Sequence, residues 1–260
     1  MFSRIIRNIK SPVKLIKKVY KSRQNAKRLS QSDLDYWASI KDIHKGKRGF
    51  VIGNGPSLRV SDLDKLANDV SIASNKIYLA FDDTIWRPDY LTIADPLVWD
   101  KVRESVREHF PRVLIPSYLE RDDSELEIYW KSKYMGIIER FSGDLGRCAY
   151  SGQTVTFENL QLAVHLGLNP IFIIGCDHNY AGEKNITAGI AIKQGSEKTH
   201  FTSNYRKPGE KVLPASILDM EASYREARKY CDKNKVKIFN ATRGGQLEIF
   251  QRIDFDSIRF

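Results

Sequence analysis

Apolar residues in this chain fall into short unbroken runs, separated by stretches where they recur every three or four positions. Gly49 to Gly53, Val70 to Asn75 (VSIASN), Tyr90 to Asp95 (YLTIAD), Arg112 to Pro116 (RVLIP), Pro170 to Gly175 (PIFIIG) and Val236 to Ala241 (VKIFNA) read as strands. Their apolar residues do not alternate with polar ones, which marks strands buried on both faces. Asp62 to Leu66, Leu97 to His109, Thr154 to Leu166 and Ser216 to Asn234 carry helical spacing. The third of these helices stops at Gly167, a residue suited to a left-handed cap. Strands separated by helices predict an α/β fold, a Rossmann-like three-layer sandwich with a mostly parallel sheet.

The pattern lapses between Asp177 and Leu213, where Gly, Lys, Asn and Thr dominate. So long an irregular stretch in a compact domain is usually functional or disordered. It follows the most apolar strand, at the end where open α/β sheets place their ligands. A lid over residues 178–213 is the first expectation, and a solvated excursion the second.

Ahead of the first strand, apolar residues at helical spacing are interleaved with Arg4, Arg7, Lys10, Lys14, Lys17, Lys18, Lys21, Arg23, Lys27 and Arg28. Residues 1–28 contain no acid, so the net charge of +10 resides there and the rest balances its basic side chains against 32 acidic ones. A nucleic-acid-binding domain would spread basic surface over its folded part, so none is expected. A basic amphipathic helix instead suits an anionic membrane surface, with packing on the domain or another subunit as the alternative. The chain is therefore divided into a basic N-terminal helical arm, 1–44, and a catalytic domain, 45–260. Cys148, Cys176 and Cys231 form no close pair, which points to a reducing cytoplasm. The interleaved N-terminus does not read as a signal peptide, and peripheral attachment to the inner membrane face is the further expectation. The sequence leaves the oligomeric state open.

Candidate chemistry gathers at the predicted C-terminal strand ends. Gly53, Asn54, Gly55 and Ser57 leave the first strand in the turn Gly-Asn-Gly-Pro-Ser, where missing side chains would let backbone amides approach a phosphate. The turn is neither a dinucleotide fingerprint nor a Walker A loop. A merely tight strand-to-helix turn explains the glycines equally well. Ser74 and Asn75 end the second strand and Asp95 the third. Asp177 follows the apolar strand, and Ser151 with Gly152 precedes a helix that could receive an anion. Convergence on one sheet edge favours a nucleotide pocket. Asp95 and Asp177 are candidate ligands for Mg2+ or, alternatively, partners of a ribose. His200, in the lid, is a candidate general base, with an ordinary surface histidine as the alternative. Lys198, Arg206 and Lys207 could neutralise a leaving diphosphate. His165 lies on an otherwise apolar helix and reads as structural.

The segments FVIGNGPSL, SIASNKIYLAF, DYLTIADPLV, YSGQTVTFENLQLAVHLGLNPIFIIGCDHNY and NATRGGQLEIF together resemble the 6-hydroxymethylpterin diphosphokinase MptE-like family. The resemblance covers nearly everything after residue 45. It implies diphosphoryl transfer from ATP to a hydroxymethylpterin-type acceptor, with magnesium. The domain is also similar to the family 42 sialyltransferases, which implies instead a glycosyltransferase using a CMP-sugar in surface polysaccharide synthesis. That similarity implies nucleotide contacts from Asn54, Ser57, Asn75, Ser151 and Gly152, a place for Tyr180 near the phosphate, and His200 as the base. Asp95 departs from it, standing where those transferases carry asparagine. A non-catalytic nucleotide-binding protein is the third expectation.

Overall fold

The computed structural model describes residues 29–119, 125–133, 140–179, 191–192, 199–207, 210–212 and 216–260. The arm expected over 1–28, Tyr180 and Lys198 lie outside the described residues.

Eight strands form one sheet, parallel at every described pairing: β1 (Gly49–Ile52), β2 (Val70–Ser74), β3 (Tyr90–Thr92), β4 (Val113–Pro116), β5 (Glu127–Trp130), and then, past the small β6 (Ser132–Lys133) and β7 (Ala149–Tyr150) pair, β8 (Ile171–Ile174). Beyond the short β9 (Ala191–Ile192) and β10 (Lys211–Val212), which pair antiparallel, β11 (Ile238–Asn240) and β12 (Gln251–Arg252) complete the sheet. The strand order is β12-β11-β8-β1-β2-β3-β4-β5. From β1 the chain builds outward through β2 to β5, then returns to β8 on the other side of β1 and builds outward again. The order thus reverses between β1 and β8, the switch point where loops diverge and a crevice opens in open α/β sheets.

The alternation of side chains along each strand divides the core in two. Phe50 and Ile52 of β1 enter one cluster, with Val98, Trp99, Val102 and Val106 of the helix Pro96–His109. Val51 enters the other, with Phe157, Leu160 and Ala163 of Val155–His165 and Met220, Tyr224 and Ala227 of Ile217–Lys233. In chain order the helices are α1 (Gln31–Ile40), α2 (Val60–Leu63), α3 (Pro96–His109), α4 (Val155–His165) and α5 (Ile217–Lys233). The expected three-layer sandwich is present. The brief helix expected at Asp62 to Leu66 divides into α2 and a 3-10 turn, Asp64–Leu66.

The domain begins before the boundary placed at residue 44. Ser30 and Asp33 form a reciprocal capping box that starts α1. Trp37 Nε1 then donates to the Tyr129 carbonyl at 2.7 Å, Asp33 Oδ1 accepts from the Tyr129 amide at 3.0 Å, and Trp37 is fully buried. Three apolar positions in ten residues gave too little pattern for this helix to be read. The strands β5, β6, β7 and β12 were also missed, two to four residues being too short to show a period.

Candidate functional site

Three loops interlock at the C-terminal ends of β1, β8 and β11, and glycine permits each contact. A Cβ on Gly53 would stand 2.4 Å from the Gly175 carbonyl oxygen, and one on Gly55 1.9 Å from Asp177 Oδ2. A Cβ on Gly245 would stand 2.7 Å from the Asp177 carbonyl oxygen. Hydrogen bonds follow the same contacts. The Gly53 amide donates to Ile174 O at 2.8 Å and the Gly55 amide to Gly175 O at 2.9 Å. The Ser57 amide and hydroxyl both donate to Asp177 Oδ2, at 3.2 and 2.7 Å. The amides expected to grip a phosphate are therefore engaged within the protein. Gly53 and Gly55 line the cavity, but packing between loops is what requires them there.

What the turn offers the cavity is the side chain of Asn54. Its Nδ2 donates to the Ser74 carbonyl at 3.0 Å, which fixes the amide's orientation and leaves buried Oδ1 without a donor. Asn75, one residue past β2, has φ of +57° and a buried Oδ1 that likewise accepts nothing. An unsatisfied buried acceptor costs about 1–3 kcal/mol. Two such oxygens on the wall of one cavity form a ready place for ligand N–H or O–H groups.

The N-terminus of α4 forms another wall. Thr154 caps it, accepting from the Thr156 amide at 3.3 Å, and Thr154, Val155 and Thr156 line the cavity. Ser151 and Gly152 do not line it. They belong to the turn behind it, where Gly152 has φ of +51° and an added Cβ would lie 2.1 Å from the Phe157 ring. The expected helix N-terminus is thus at the cavity, with the cavity-lining role falling to the threonines. Ser57 is also absent from the lining, because its hydroxyl is turned to Asp177.

His200 reaches the cavity from the segment after β9. Its ring stacks on Tyr205 with centroids 3.8 Å apart and planes 8° from parallel, and its Nδ1 lies 2.8 Å from Thr199 Oγ1. The neighbouring Phe201 amide donates to the Asn54 carbonyl at 3.1 Å, so the segment docks on the turn after β1. Lys76 Nζ donates to the Tyr205 carbonyl at 2.8 Å and fastens the other end. Residues 199–207 are therefore hydrogen-bonded to the body at the cavity, as a lid would be. Arg206 lines the cavity, and Lys207 does not.

The acids separate. Asp177 lines the cavity, with one carboxylate oxygen held by Ser57. Asp95 does not: it caps α3, accepting from the Leu97 amide at 2.8 Å, with Pro96 at the first helical position. The residue pair expected to hold Mg2+ does not fit a common metal site, and among the described residues no group of three or more His, Cys, Asp or Glu side chains could hold a metal ion. Two cavity groups have burial-shifted acidities: the Cys176 thiol is pushed up to about 11, and His178 is pushed below the usual histidine value. Both favour the neutral form near pH 7.

His165 has the structural role read for it. Nδ1 accepts from the Leu145 amide at 3.2 Å, and Nε2 donates to the Trp37 carbonyl at 2.9 Å. The reading missed Thr156, Cys176, Tyr205 and Tyr224 as cavity residues. Tyr224 had a usable signal, lying on the apolar face of a readable helix. Tyr205 had none, because its segment follows no period.

No curated protein matches the chain. A solved structure of the MAf glycosyltransferase from Magnetospirillum magneticum AMB-1 superposes with a TM-score of 0.55 at 17% identity, covering 89% of this chain and 39% of that one. The chain thus spans about two fifths of that protein's length, and the likeness is one of fold. Residues 21–183 match the family described as 6-hydroxymethylpterin diphosphokinase MptE-like, well over half of the chain, and the protein belongs to that family.

Proposed function

We propose that the protein is a nucleotide-dependent transferase whose donor sits at the β1/β8 switch point. The observation that carries this reading is the pair of unsatisfied amide oxygens, Asn54 Oδ1 and Asn75 Oδ1, on the wall of the cavity that α4 and His200 also face. Those oxygens suit the hydroxyl or amino groups of a nucleoside. The exposed turn of α4 suits the negative charge of its phosphate. The family description and the fold neighbour's name both denote group transfer.

Of the two donor chemistries, a nucleotide sugar fits the acids better than ATP with magnesium. Asp95 is committed to α3, so Asp177 is the single carboxylate of the expected pair at the cavity. In this reading His200 takes the proton of an acceptor hydroxyl as its oxygen bonds to the sugar carbon. The bond from that carbon to the phosphate oxygen breaks, and the electron pair leaves with the nucleotide. The amide end of α4 and the Arg206 guanidinium stabilise the departing charge. No step is routed through a metal. Diphosphoryl transfer to a pterin-type hydroxyl, the family's own description, is the second reading. The basic side chains of residues 1–28 support an acceptor held at an anionic membrane surface. Among the described residues no helix is long and apolar enough to cross a membrane.

The test is a thermal-shift panel of ATP, CTP, CMP and CMP-sugars with and without Mg2+. A ligand at 100 times its dissociation constant stabilises by about 2.7 kcal/mol, a readily measured rise in melting temperature. Stabilisation by CMP and CMP-sugars without Mg2+ supports glycosyl transfer, and a requirement for ATP with Mg2+ supports the diphosphokinase. Stabilisation without turnover of any donor would make the protein a non-catalytic nucleotide binder.

A further inference from the structure

Beside the nucleotide corner, one buried carboxylate faces three cations. Glu210 is 8% exposed. Its Oε1 lies 3.2 Å from Lys76 Nζ, 3.1 Å from Lys101 Nζ and 3.7 Å from Arg206 Nη1. The three cations come from separate parts of the fold: the turn after β2, helix α3, and the segment that carries His200. Arg206 lines the cavity, and its Nε is buried without a hydrogen-bond partner. Lys76 and Lys101 have side chains 11% and 39% exposed, so the cluster is reachable at one edge and closed at the other.

The charges do not balance. One carboxylate offers a single negative charge to three positive ones, and cations this close repel each other strongly where water is partly excluded. Burial lowers the Lys76 pKa, and Arg206 and Lys101 push it further down, while Glu210 opposes them. Burial pushes the Glu210 carboxyl up, but the Lys207 amide and the two ammonium groups outweigh it and hold the carboxyl at about 2. A salt bridge needed only to fasten this segment would require one cation. A phosphate or carboxylate arriving from the cavity would meet the unsatisfied Arg206 Nε and the uncompensated charge together.

We propose that Lys76, Lys101 and Arg206 form a binding site for an oxyanion, phosphate or carboxylate, carried by the transferred or accepting molecule beyond the nucleotide, and that Glu210 holds its place until that group arrives. The site rests on the transferase reading of the cavity and specifies its substrate: the group transferred, or its acceptor, is acidic. Ligand oxyanion and Glu210 carboxylate compete for the same donors. Removing the carboxylate therefore strengthens the ligand, whereas removing a cation weakens it.

The experiment is calorimetric titration of the full-length protein at low salt, with inorganic pyrophosphate in one arm and glucuronate in the other. At least one is expected to bind; pyrophosphate binding assigns a phosphate-bearing substrate and glucuronate binding a sugar acid. Glu210→Gln is expected to tighten that constant about five-fold or more, and Lys101→Gln to weaken it by about as much, near 1 kcal/mol in each direction. Nucleotide affinity should stay within about two-fold in both variants. The proposal is overturned if neither anion binds, if Glu210→Gln fails to tighten the constant, or if CMP displaces the anion mole for mole. Should Glu210→Gln lack a melting transition, Lys101→Gln decides, an unchanged constant overturning the site. Absence of nucleotide binding with anion binding intact would instead remove the transferase reading.

Discussion

Gly53 and Gly175 meet backbone to backbone: a Cβ on the first would lie 2.4 Å from the carbonyl oxygen of the second. Neither partner can rotate away, since the Gly53 amide is bonded to Ile174 O and Gly175 has φ of +65°. Gly53→Ala is therefore expected to force the two loops apart and lower unfolding free energy by about 1–3 kcal/mol, the usual cost of overpacking. Urea denaturation measures it. A change below about 0.5 kcal/mol would show that the loops are not locked together.

His200 is held in plane by Tyr205 and at Nδ1 by Thr199, the arrangement a base needs to meet one acceptor oxygen repeatedly. His200→Gln is expected to reduce turnover about 100- to 10,000-fold while nucleotide affinity stays unchanged, as for loss of a general base. Turnover is measured with whichever donor the thermal-shift panel identifies. Equal losses in affinity and turnover would mean that the ring only shapes the site.

Glu158 lies inside α4, 3% exposed, with neither carboxylate oxygen hydrogen-bonded. Burial raises its pKa well above the ordinary carboxylate value, and the neighbouring Tyr118 is raised by its own burial and by the nearby charges of Glu158 and Asp95. The folded protein therefore keeps a proton that the unfolded chain releases above about pH 4.5. Stability contributed by the neutral acid is complete below that pH, falls as pH rises, and is lost through the raised folded pKa. Within this window the slope reaches at most about 1.4 kcal/mol per pH unit. Glu158→Gln is expected to remove this loss, making the variant more stable than the parent at pH 8 and close to it at pH 4.5. Parallel stability–pH curves for the two proteins would contradict the assignment.

Trp37 joins α1 to β5 through buried area and its bond to Tyr129 O. Trp37→Ala is expected to cost about 3–5 kcal/mol, the range for emptying a fully buried aromatic site. A cost under 1 kcal/mol in urea denaturation would detach this helix from the domain.

The central strands were legible because burial on both faces erases polar residues, leaving runs such as PIFIIG that mean one thing. The sheet's switch point was not, since strand order is decided by which loops cross and no residue spells that out. At the site, Asn54, Asn75, Asp177 and His200 were found from position alone and do line one cavity. Asp95 misled because a carboxylate after a strand and before Pro96 serves a helix cap as well as a ligand, and the cap prevails. The glycines of Gly-Asn-Gly-Pro-Ser misled in a subtler way. Glycine signals close backbone approach, but the sequence does not state whether the approaching group is a phosphate or Gly175 and Asp177.

The most direct measurement is calorimetric binding of CMP to the full-length protein and to the Asn54→Ala/Asn75→Ala double variant, in the presence of EDTA. The parent is expected to bind one equivalent, and the variant, with its melting temperature preserved, to bind at least about ten-fold more weakly for loss of two amide acceptors. Failure of CMP, CTP and ATP alike to bind the parent, with or without Mg2+, or equal nucleotide affinity in parent and variant, would contradict a nucleotide site at this sheet edge.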